Sequence, residues 1–268
     1  MRKTTRITTL ACGLLLMIIA MGHTAMASGK PGTAEQYKMP LAYIQHAESL
    51  HKSLRLQELG LDKDIFIKAY KGYLYLLTQG VVSNTQMLSI ADFSQSSRNK
   101  RLYVINLQER KLVFHTYVSH GKNSGADMAT SFSNVNNSFK STLGFLITAD
   151  TYQGSNGYSL KFQGMEAGIN DLVTYRNIVV HGSRYVNEQK IAKDGQPANS
   201  LGCPAVPMAQ SKPLIDAIKG GSVYFIYHPD EYYAAASPIL NARMGLTLHL
   251  PINNPFLDAD TLAPGTER

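Results

Sequence analysis

Residues 178–183, with the sequence IVVHGS, form the stretch on which the fold and the chemistry of this chain both depend. The apolar residues that open it predict a buried strand, and that strand ends on His181. The sequence SLGCP follows at residues 200–204, so Cys203 stands 22 residues after the histidine. Gly202 allows a tight turn and the close approach of another molecule. These segments predict an imidazole at a strand end and a thiol in a glycine-flanked turn.

A cysteine and a histidine placed in this way suit nucleophilic catalysis by a thiol. An imidazole beside a cysteine lowers the pKa of the thiol and takes its proton, and the resulting thiolate attacks a carbonyl group. The charge that develops on the carbonyl oxygen needs N–H donors, and Pro204 has no N–H group. We therefore expect the backbone N–H groups of Gly202 and Cys203 to stabilise this oxyanion.

Residues 1–27 have the features of a secretory signal peptide. Three basic residues precede an apolar run, and Ala-Met-Ala at residues 25–27 gives a small-x-small cleavage site. The run is shorter than the ~20 residues that a membrane-spanning helix needs. We expect a secreted protein of the periplasm, associated with the cell wall and without a stable membrane span after cleavage. Cleavage removes Cys12, so Cys203 is left without an intramolecular partner for a disulfide.

Composition and charge exclude several classes of protein. The 268 residues are 44% hydrophobic and 17% charged, which excludes a disordered chain and a small disulfide scaffold. The formal charge of +7 includes three basic residues of the signal peptide, so the mature chain carries +4. A charge this small, with no basic stripe interleaved with aromatic residues, argues against nucleic acid as a partner. The small positive charge of the mature chain is compatible with a location near an acidic polymer.

Helical periodicity dominates residues 28–90, which we interpret as an N-terminal helical segment. Apolar residues recur four apart over residues 61–77, with Asp62 as the expected N-cap and Gly80 as the expected end. A weaker helical pattern covers residues 42–59. We find no candidate catalytic residues in this segment and interpret it as a structural layer.

Strand patterns follow in residues 91–230, the predicted catalytic domain. Apolar stretches predict strands at residues 102–107, 112–118, 143–148, 158–162, 178–181 and 222–227. A helix that begins near Ser211 and ends at two consecutive glycines interrupts them. The polar loop at residues 121–141 has a length that is typical of functional or disordered loops. Residues 231–268 contain four prolines and predict an irregular C-terminal tail.

Several further motifs accompany the two segments described first. They are RLYV at residues 101–104, SHGKNSG at 119–125, SFSN at 131–134, LGF at 143–145, GIN at 168–170 and IKGG at 218–221. Together with the HG at His181 and the SxGC that ends at Cys203, they resemble the YkuD-type murein L,D-transpeptidases of bacterial cell walls over residues 93–227. The resemblance implies a mainly β, α+β fold, namely a mostly antiparallel, L,D-transpeptidase-like β-sandwich, here with an N-terminal helical layer.

The resemblance also implies a cysteine enzyme that cross-links peptidoglycan stem peptides without a cofactor or a metal. Cys203 would attack the third, diamino-acid residue of a donor stem and form a thioester as the terminal D-Ala leaves. His181 would act as general base and then as general acid, oriented by the backbone carbonyl of Gly182. The amine of an acceptor stem would then resolve the thioester. A carbapenem should acylate the same thiol.

Recognition of the stem peptides is where the sequence departs from this family. Many members carry an arginine two residues after the cysteine, where this chain has Ala205. The candidate cations that could replace it are Lys122, Lys140 and Arg184. The candidate substrate-binding residues are His120, Asn134, Lys140, Arg184 and Ser200. Serine and asparagine in loops are also common turn formers.

Several alternatives remain open at the level of sequence. An L,D-carboxypeptidase would let water resolve the thioester, and a non-catalytic wall-binding module would not use the thiol. A metal-dependent hydrolase would use His115, His120, His181 and Cys203, but these lack a helical i,i+4 ligand pair and an evident carboxylate partner. A sortase would need a threonine-rich cysteine strand and a downstream arginine, and neither is present. The sequence does not specify the oligomeric state.

Overall fold

A computed structural model of the chain describes residues 33–245. The predicted signal peptide lies outside these residues, as does most of the predicted C-terminal tail. The helices are α1 (Ala34–Tyr37), α2 (Leu41–Ser53), α3 (Lys63–Thr78), α4 (Glu188–Asp194), α5 (Met208–Ile218), α6 (Glu231–Ala236) and α7 (Pro238–Asn241). The strands are β1 (Met87–Asp92), β2 (Leu102–Asn106), β3 (Lys111–Thr116), β4 (Gly144–Gly154), β5 (Gly157–Gly164), β6 (Val179–Ser183), β7 (Ala205–Pro207) and β8 (Val223–Tyr227).

All eight strands belong to one hydrogen-bonded sheet, in the order β3-β2-β1-β8-β4-β5-β6-β7. Most neighbouring strands are antiparallel, but β1 pairs with β8 and β6 pairs with β7 in parallel. A register shift in β4 between Thr148 and Thr151 interrupts its ladder with β5, and irregularities of this kind bend a strand and increase its twist. The predicted α+β class, with a dominant sheet and an N-terminal helical layer, is confirmed. The strands form a continuous ladder rather than two separate sheets.

The N-terminal helices are part of the main core. Asp62 caps α3 as predicted, since its side chain accepts from the N–H of Asp64 at 2.8 Å. The helix packs against β1 and β8, and its apolar side chains join the strands in one hydrophobic cluster. The predicted boundary at residue 90 falls within β1, which lies in the middle of the sheet, so the predicted helical segment and the predicted catalytic domain share one core. Within residues 33–245, no helix is long and apolar enough to cross a membrane.

Other elements differ from the predicted secondary structure. No predicted strand or helix corresponds to β1, α4 or β7, and α4 and β7 are too short to show a clear periodicity. Helix α5 begins at Met208, three residues before the predicted start, and contains Pro213. The start of the predicted irregular tail folds into α6 and α7, capped by the side chains of Asp230 and Ser237.

A buried carboxylate attaches these last helices to the sheet. Glu166 is fully buried and accepts hydrogen bonds from the N–H of Phe145 at 2.8 Å and from the hydroxyl of Tyr233 at 3.1 Å. The hydroxyl of Ser237 also donates to this carboxylate. Burial raises the pKa of Glu166 against the opposing effect of these donors. One side chain thus joins β4 to α6 and to the N-cap of α7.

A substitution in α3 tests how tightly the helical layer packs on the sheet. A Cβ atom on Gly72 would lie 2.0 Å from the ring of Phe145, which stacks on Phe225 at 4.2 Å between ring centroids. Gly72→Ala should lower the free energy of unfolding by about 1–3 kcal/mol through overpacking, although alanine in a helix is normally favoured by ~1 kcal/mol. Urea denaturation measures this change in the free energy of unfolding. Gly245→Ala, where a Cβ meets nothing within 4 Å, is the control, and equal stability of the two variants would contradict the tight packing.

The raised pKa of Glu166 predicts a pH dependence of stability. The folded state retains the proton to a higher pH than the unfolded chain does, so stability falls as pH rises from the usual glutamate pKa through the raised value, with a slope of up to ~1.4 kcal/mol per pH unit. Glu166→Gln cannot ionise and should remove this slope. Urea denaturation between pH 4.5 and 7.5 compares the slopes, with the exposed Glu109→Gln as control. An unchanged slope in Glu166→Gln would show that another group causes the dependence.

Candidate active site

The parallel pairing of β6 and β7 at the edge of the sheet brings the histidine and the cysteine together. In this register His181 is opposite Ala205, and Cys203 precedes β7 by two residues. Both His181 and Cys203 line one cavity of about 210 Å³. The structure therefore places the two residues predicted as catalytic in a shared, solvent-accessible site.

Hydrogen bonds within the turn and the adjoining loops fix the position of the cysteine. The hydroxyl of Ser200 donates to the carbonyl of Cys203 at 2.6 Å and accepts from the N–H of Gly202 at 3.1 Å. The N–H of Ser200 donates to the carbonyl of His120 at 2.8 Å. Gly202 has a φ of +123°, and a Cβ there would lie 2.9 Å from the carbonyl oxygen of Lys140. Glycine is required at this position for both its backbone conformation and its lack of a side chain.

The imidazole of His181 is oriented by the next residue in the chain. Its Nδ1 lies 3.0 Å from the carbonyl oxygen of Gly182. A carbonyl only accepts, so Nδ1 carries the proton and Nε2 has the free lone pair. Gly182 is itself packed closely, because a Cβ there would lie 2.6 Å from the hydroxyl of Ser211 in α5. The side chain of His181 is therefore held as a base whose Nε2 can accept a proton in the cavity.

Burial and nearby groups have opposite effects on the thiol of Cys203. Its sulfur lies 3.6 Å from the carbonyl oxygen of Asn177, and burial raises the pKa of the thiol. The N–H of Val179 and the charge of Arg176 oppose this rise without reversing it. Among residues 33–245 the sulfur makes no hydrogen bond to His181, so the thiolate–imidazolium pair stays a prediction, and desolvation of the thiolate opposes its formation.

The backbone donors predicted for an oxyanion differ in their availability. The N–H of Gly202 already donates to Ser200. The N–H of Cys203 has no acceptor among the described residues. Of the two predicted groups, only the N–H of Cys203 is free to receive a new oxygen atom in this conformation.

A second cavity adjoins the first on the other side of His181. Its volume is about 630 Å³. Four residues line both cavities, namely Asn156, His181, Ser183 and Tyr185. Arg184 lines the larger one and forms no salt bridge with any residue in the described part of the chain. Ser200, also predicted to bind substrate, lines the smaller cavity beside Cys203.

His120 does not line either cavity, and its role in substrate binding stays a prediction. The side chain is 0% exposed. Its Nδ1 accepts from Arg101 at 2.7 Å, and its Nε2 donates to the carbonyl of Gly125 at 3.1 Å. Burial and the charge of Arg101 lower the pKa of His120 to about 4. This neutral histidine supports the loop that follows it.

Asn134 and Lys140 are likewise engaged in contacts within the protein. The amide of Asn134 donates to Asp171 at 2.7 Å and accepts from the N–H of Leu172 at 3.2 Å. The ammonium group of Lys140 donates to the hydroxyl of Ser131 at 2.7 Å. Neither residue lines the cavities at His181. Their predicted contact with substrate is not supported, because internal partners already occupy their polar groups.

The ammonium group of the third candidate cation, Lys122, lies 4.4 Å from the centroid of the Phe139 ring. Of the candidate cations, only Arg184 lines a cavity at the site.

Three residues close to the site are not among those predicted from the sequence. Asn156, in the tight turn between β4 and β5, lines both cavities. The carbonyl of Asn177 lies near the thiol, and the neighbouring Arg176 is buried. A lone asparagine or arginine in a loop gives no periodic signal, and only the folded chain shows where these residues lie.

A metal-dependent hydrolase would need several side chains arranged around one metal ion. Across residues 33–245, no group of three or more histidine, cysteine, aspartate or glutamate side chains is arranged to hold a metal ion. Nε2 of His115 donates to the carbonyl of Lys100 at 2.6 Å, and His120 is enclosed by Arg101 and Gly125.

Solved structures provide the first comparison. An L,D-transpeptidase from Mycobacterium smegmatis and the L,D-transpeptidase LdtMt1 in complex with imipenem each share 12% identity with this chain, with TM-scores of 0.34. Each match covers 53% of this chain and 59% of the other. An L,D-transpeptidase from Stackebrandtia nassauensis has 13% identity and a TM-score of 0.33, covering 75% of this chain and 85% of its own. Similarity at this level carries no argument about function.

The sequence comparisons are more specific. No curated protein sequence matches this chain. The profile of the L,D-transpeptidase catalytic domain family, YkuD_2, matches residues 57–227, which include α3, the eight strands and the Cys203–His181 site. A match over more than half of the chain establishes the family. This chain belongs to the L,D-transpeptidase catalytic domain family.

Proposed function

We propose that this protein is a cysteine L,D-transpeptidase that cross-links peptidoglycan stem peptides through a thioester on Cys203. The observation that carries the proposal is the cavity shared by Cys203 and His181, in which the free lone pair of Nε2 and the thiol are available to one substrate. Family membership supports the reaction class. Secretion to the periplasm, which rests on the signal-like residues 1–27, is part of the same proposal.

The first half of the reaction is acylation of the thiol. Nε2 of His181 takes the proton of Cys203 as the sulfur forms a bond to the carbonyl carbon of the third residue of the donor stem. The carbonyl oxygen becomes an oxyanion that accepts a hydrogen bond from the N–H of Cys203. When the oxyanion collapses, the bond to the terminal D-Ala breaks, and its amine leaves with the proton held by His181. The result is a thioester and a free D-Ala.

The second half transfers the acyl group to an acceptor amine. The larger cavity meets the smaller one at His181, so an amine entering from that side reaches the base and the thioester together. His181 takes a proton from the attacking amine, the new amide bond forms and the C–S bond breaks. The sulfur leaves as a thiolate and recovers the proton from His181. In an L,D-carboxypeptidase, water would take the place of the amine.

A muropeptide assay distinguishes these possibilities. Purified protein incubated with a disaccharide tetrapeptide should give a cross-linked dimer by liquid chromatography and mass spectrometry. Cys203→Ala should lose at least ~10³-fold in rate, because a nucleophile has been removed. The exposed Lys111→Ala should retain the rate. Tripeptide without dimer would indicate a carboxypeptidase, and equal product from Cys203→Ala would contradict the thiol mechanism.

Acylation can also be observed directly as an adduct on Cys203. Intact-mass and peptide analysis after incubation with a carbapenem should show one adduct on the peptide that contains Cys203, and none on Cys203→Ala. A non-catalytic wall-binding module would show wall binding in both variants and no adduct in either.

Arg184 is the cation best placed to bind an acceptor carboxylate. It lines the larger cavity without a salt bridge in the described part of the chain, whereas Lys212 in the same cavity is paired with Asp216. Arg184→Gln should raise the KM for the acceptor by ~10-fold, the effect of one charge-assisted hydrogen bond of about 1.5 kcal/mol. The rate of dimer formation at varied acceptor concentration measures this KM, and the rate of donor acylation should be unchanged. An equal effect of Lys212→Gln would show that general positive charge, rather than Arg184, matters.

A further inference from the structure

Arg176 is a buried arginine on the segment that leads into β6. It is only 8% exposed. Its Nη2 donates to the hydroxyl of Ser138 at 3.2 Å and to the carbonyl of Lys140 at 2.5 Å, and its Nη1 donates to the carbonyl of Ser133. The guanidinium therefore binds the loop at residues 133–141 through three separate groups, at positions far from Arg176 in the sequence.

The charge of Arg176 has no acidic partner. Within residues 33–245 it forms no salt bridge, and its Nε is buried without a hydrogen-bond acceptor. Burial lowers the pKa of Arg176, and the group whose negative charge opposes this is Cys203. Arg101, which is also buried, differs because the charges of Asp92 and Asp127 favour its ionised form. A buried cation without a carboxylate is costly, so a negative charge that forms near Arg176 would be stabilised by it.

The loop that Arg176 binds also contacts the turn that carries the nucleophile. The hydroxyl of Ser141 donates to the carbonyl of Gly202 at 3.2 Å and accepts from the N–H of Gly121 at 3.0 Å. The carbonyl of Lys140, which accepts from Arg176, lies against Gly202 so closely that a Cβ would be 2.9 Å away. Arg176 is thus connected to Cys203 through the loop and through its charge.

We propose that Arg176 is a positioning residue for the nucleophile: it holds the loop at residues 133–141 against Gly202 and supplies the positive charge that balances the Cys203 thiolate. This inference rests on the proposed function only in taking Cys203 as the nucleophile. The buried charge compensates part of the desolvation of the thiolate each time the sulfur loses its proton.

The charged and titratable groups around the thiol are few. His181 and Tyr185 line the cavity with Cys203, and in the described part of the chain no aspartate or glutamate does. Arg176 binds the loop that packs on the turn at Gly202, and the N–H of Val179 in β6 favours the thiolate. The nearby Lys140 directs its ammonium group to Ser131. Arg176 is therefore the fixed positive charge whose removal should change the titration of Cys203.

Alkylation of Cys203 as a function of pH tests the proposal without a peptidoglycan substrate. The full chain is treated with iodoacetamide between pH 6 and 10.5, and the adduct on the peptide that contains Cys203 is quantified by mass spectrometry. Arg176→Gln should move the midpoint of the pH dependence of alkylation to higher pH. It should also slow alkylation at pH 7 by about 3-fold to 10-fold. Arg176→Lys keeps the charge and should restore most of the rate at pH 7.

The control is Arg55→Gln, which removes the same charge from an exposed pair with Glu58. It should leave the midpoint unchanged. A midpoint in Arg176→Gln equal to that of the wild type would overturn the proposal, as would equal shifts in Arg176→Gln and Arg176→Lys, which would indicate a structural role without an electrostatic one. Thermal unfolding of each variant, followed by circular dichroism, establishes that it is folded at the temperature of the assay.

A measurement on the wild-type protein covers the case in which Arg176→Gln does not fold. The Nε–H resonance of Arg176, followed by NMR over the same pH range, should shift with the midpoint found by alkylation. Alkylated protein should not show this shift. A resonance that does not respond to the thiol would overturn the proposal. These readouts do not need turnover, so absence of dimer formation in the wild type would contradict the proposed function and leave the test of Arg176 intact.

Discussion

The parallel pairing of β6 with β7 is the constraint on which the site depends. Parallel neighbours cannot be joined by a tight turn, so residues 184–204 leave the sheet, form α4 and return to it. The return places Cys203 just before β7, while His181 lies in the middle of β6, which ends at Ser183. The two side chains meet because the register sets His181 opposite Ala205. Neither strand would create the site alone.

The electrostatics of the site follow from an absence of carboxylates among its lining residues. Among residues 33–245, no aspartate or glutamate lines either cavity at His181. A neutral carbonyl, that of Gly182, orients the imidazole instead, and burial raises the pKa of the thiol. In the proposed reaction, deprotonation of the thiol is therefore coupled to attack on the substrate and to proton transfer to the base.

Buried charges elsewhere connect the loops to the sheet. Arg101 donates to the carbonyl of Val118 and to His120. Glu166 accepts hydrogen bonds from donors in β4, in α6 and at the N-cap of α7. A buried charged group that lost these partners would cost several kcal/mol, so each one specifies a single arrangement of the loops around it. The loop at residues 121–141, which has no helix or strand, is ordered in this way, by Arg101 through His120 at one end and by Arg176 at the other.

The sequence alone determined the class of fold, the α3 helix with its Asp62 cap, most of the strands and the Cys203–His181 pair, because these depend on local periodicity and on short motifs. It did not determine which polar residues face the cavities. His120 and Asn134 were predicted to bind substrate, but tertiary contacts bury the first and pair the second with Asp171. Arg176 gave no signal, since a single arginine in a loop has no period. Only the folded chain sets a side chain's burial and partners, because these depend on residues distant in sequence.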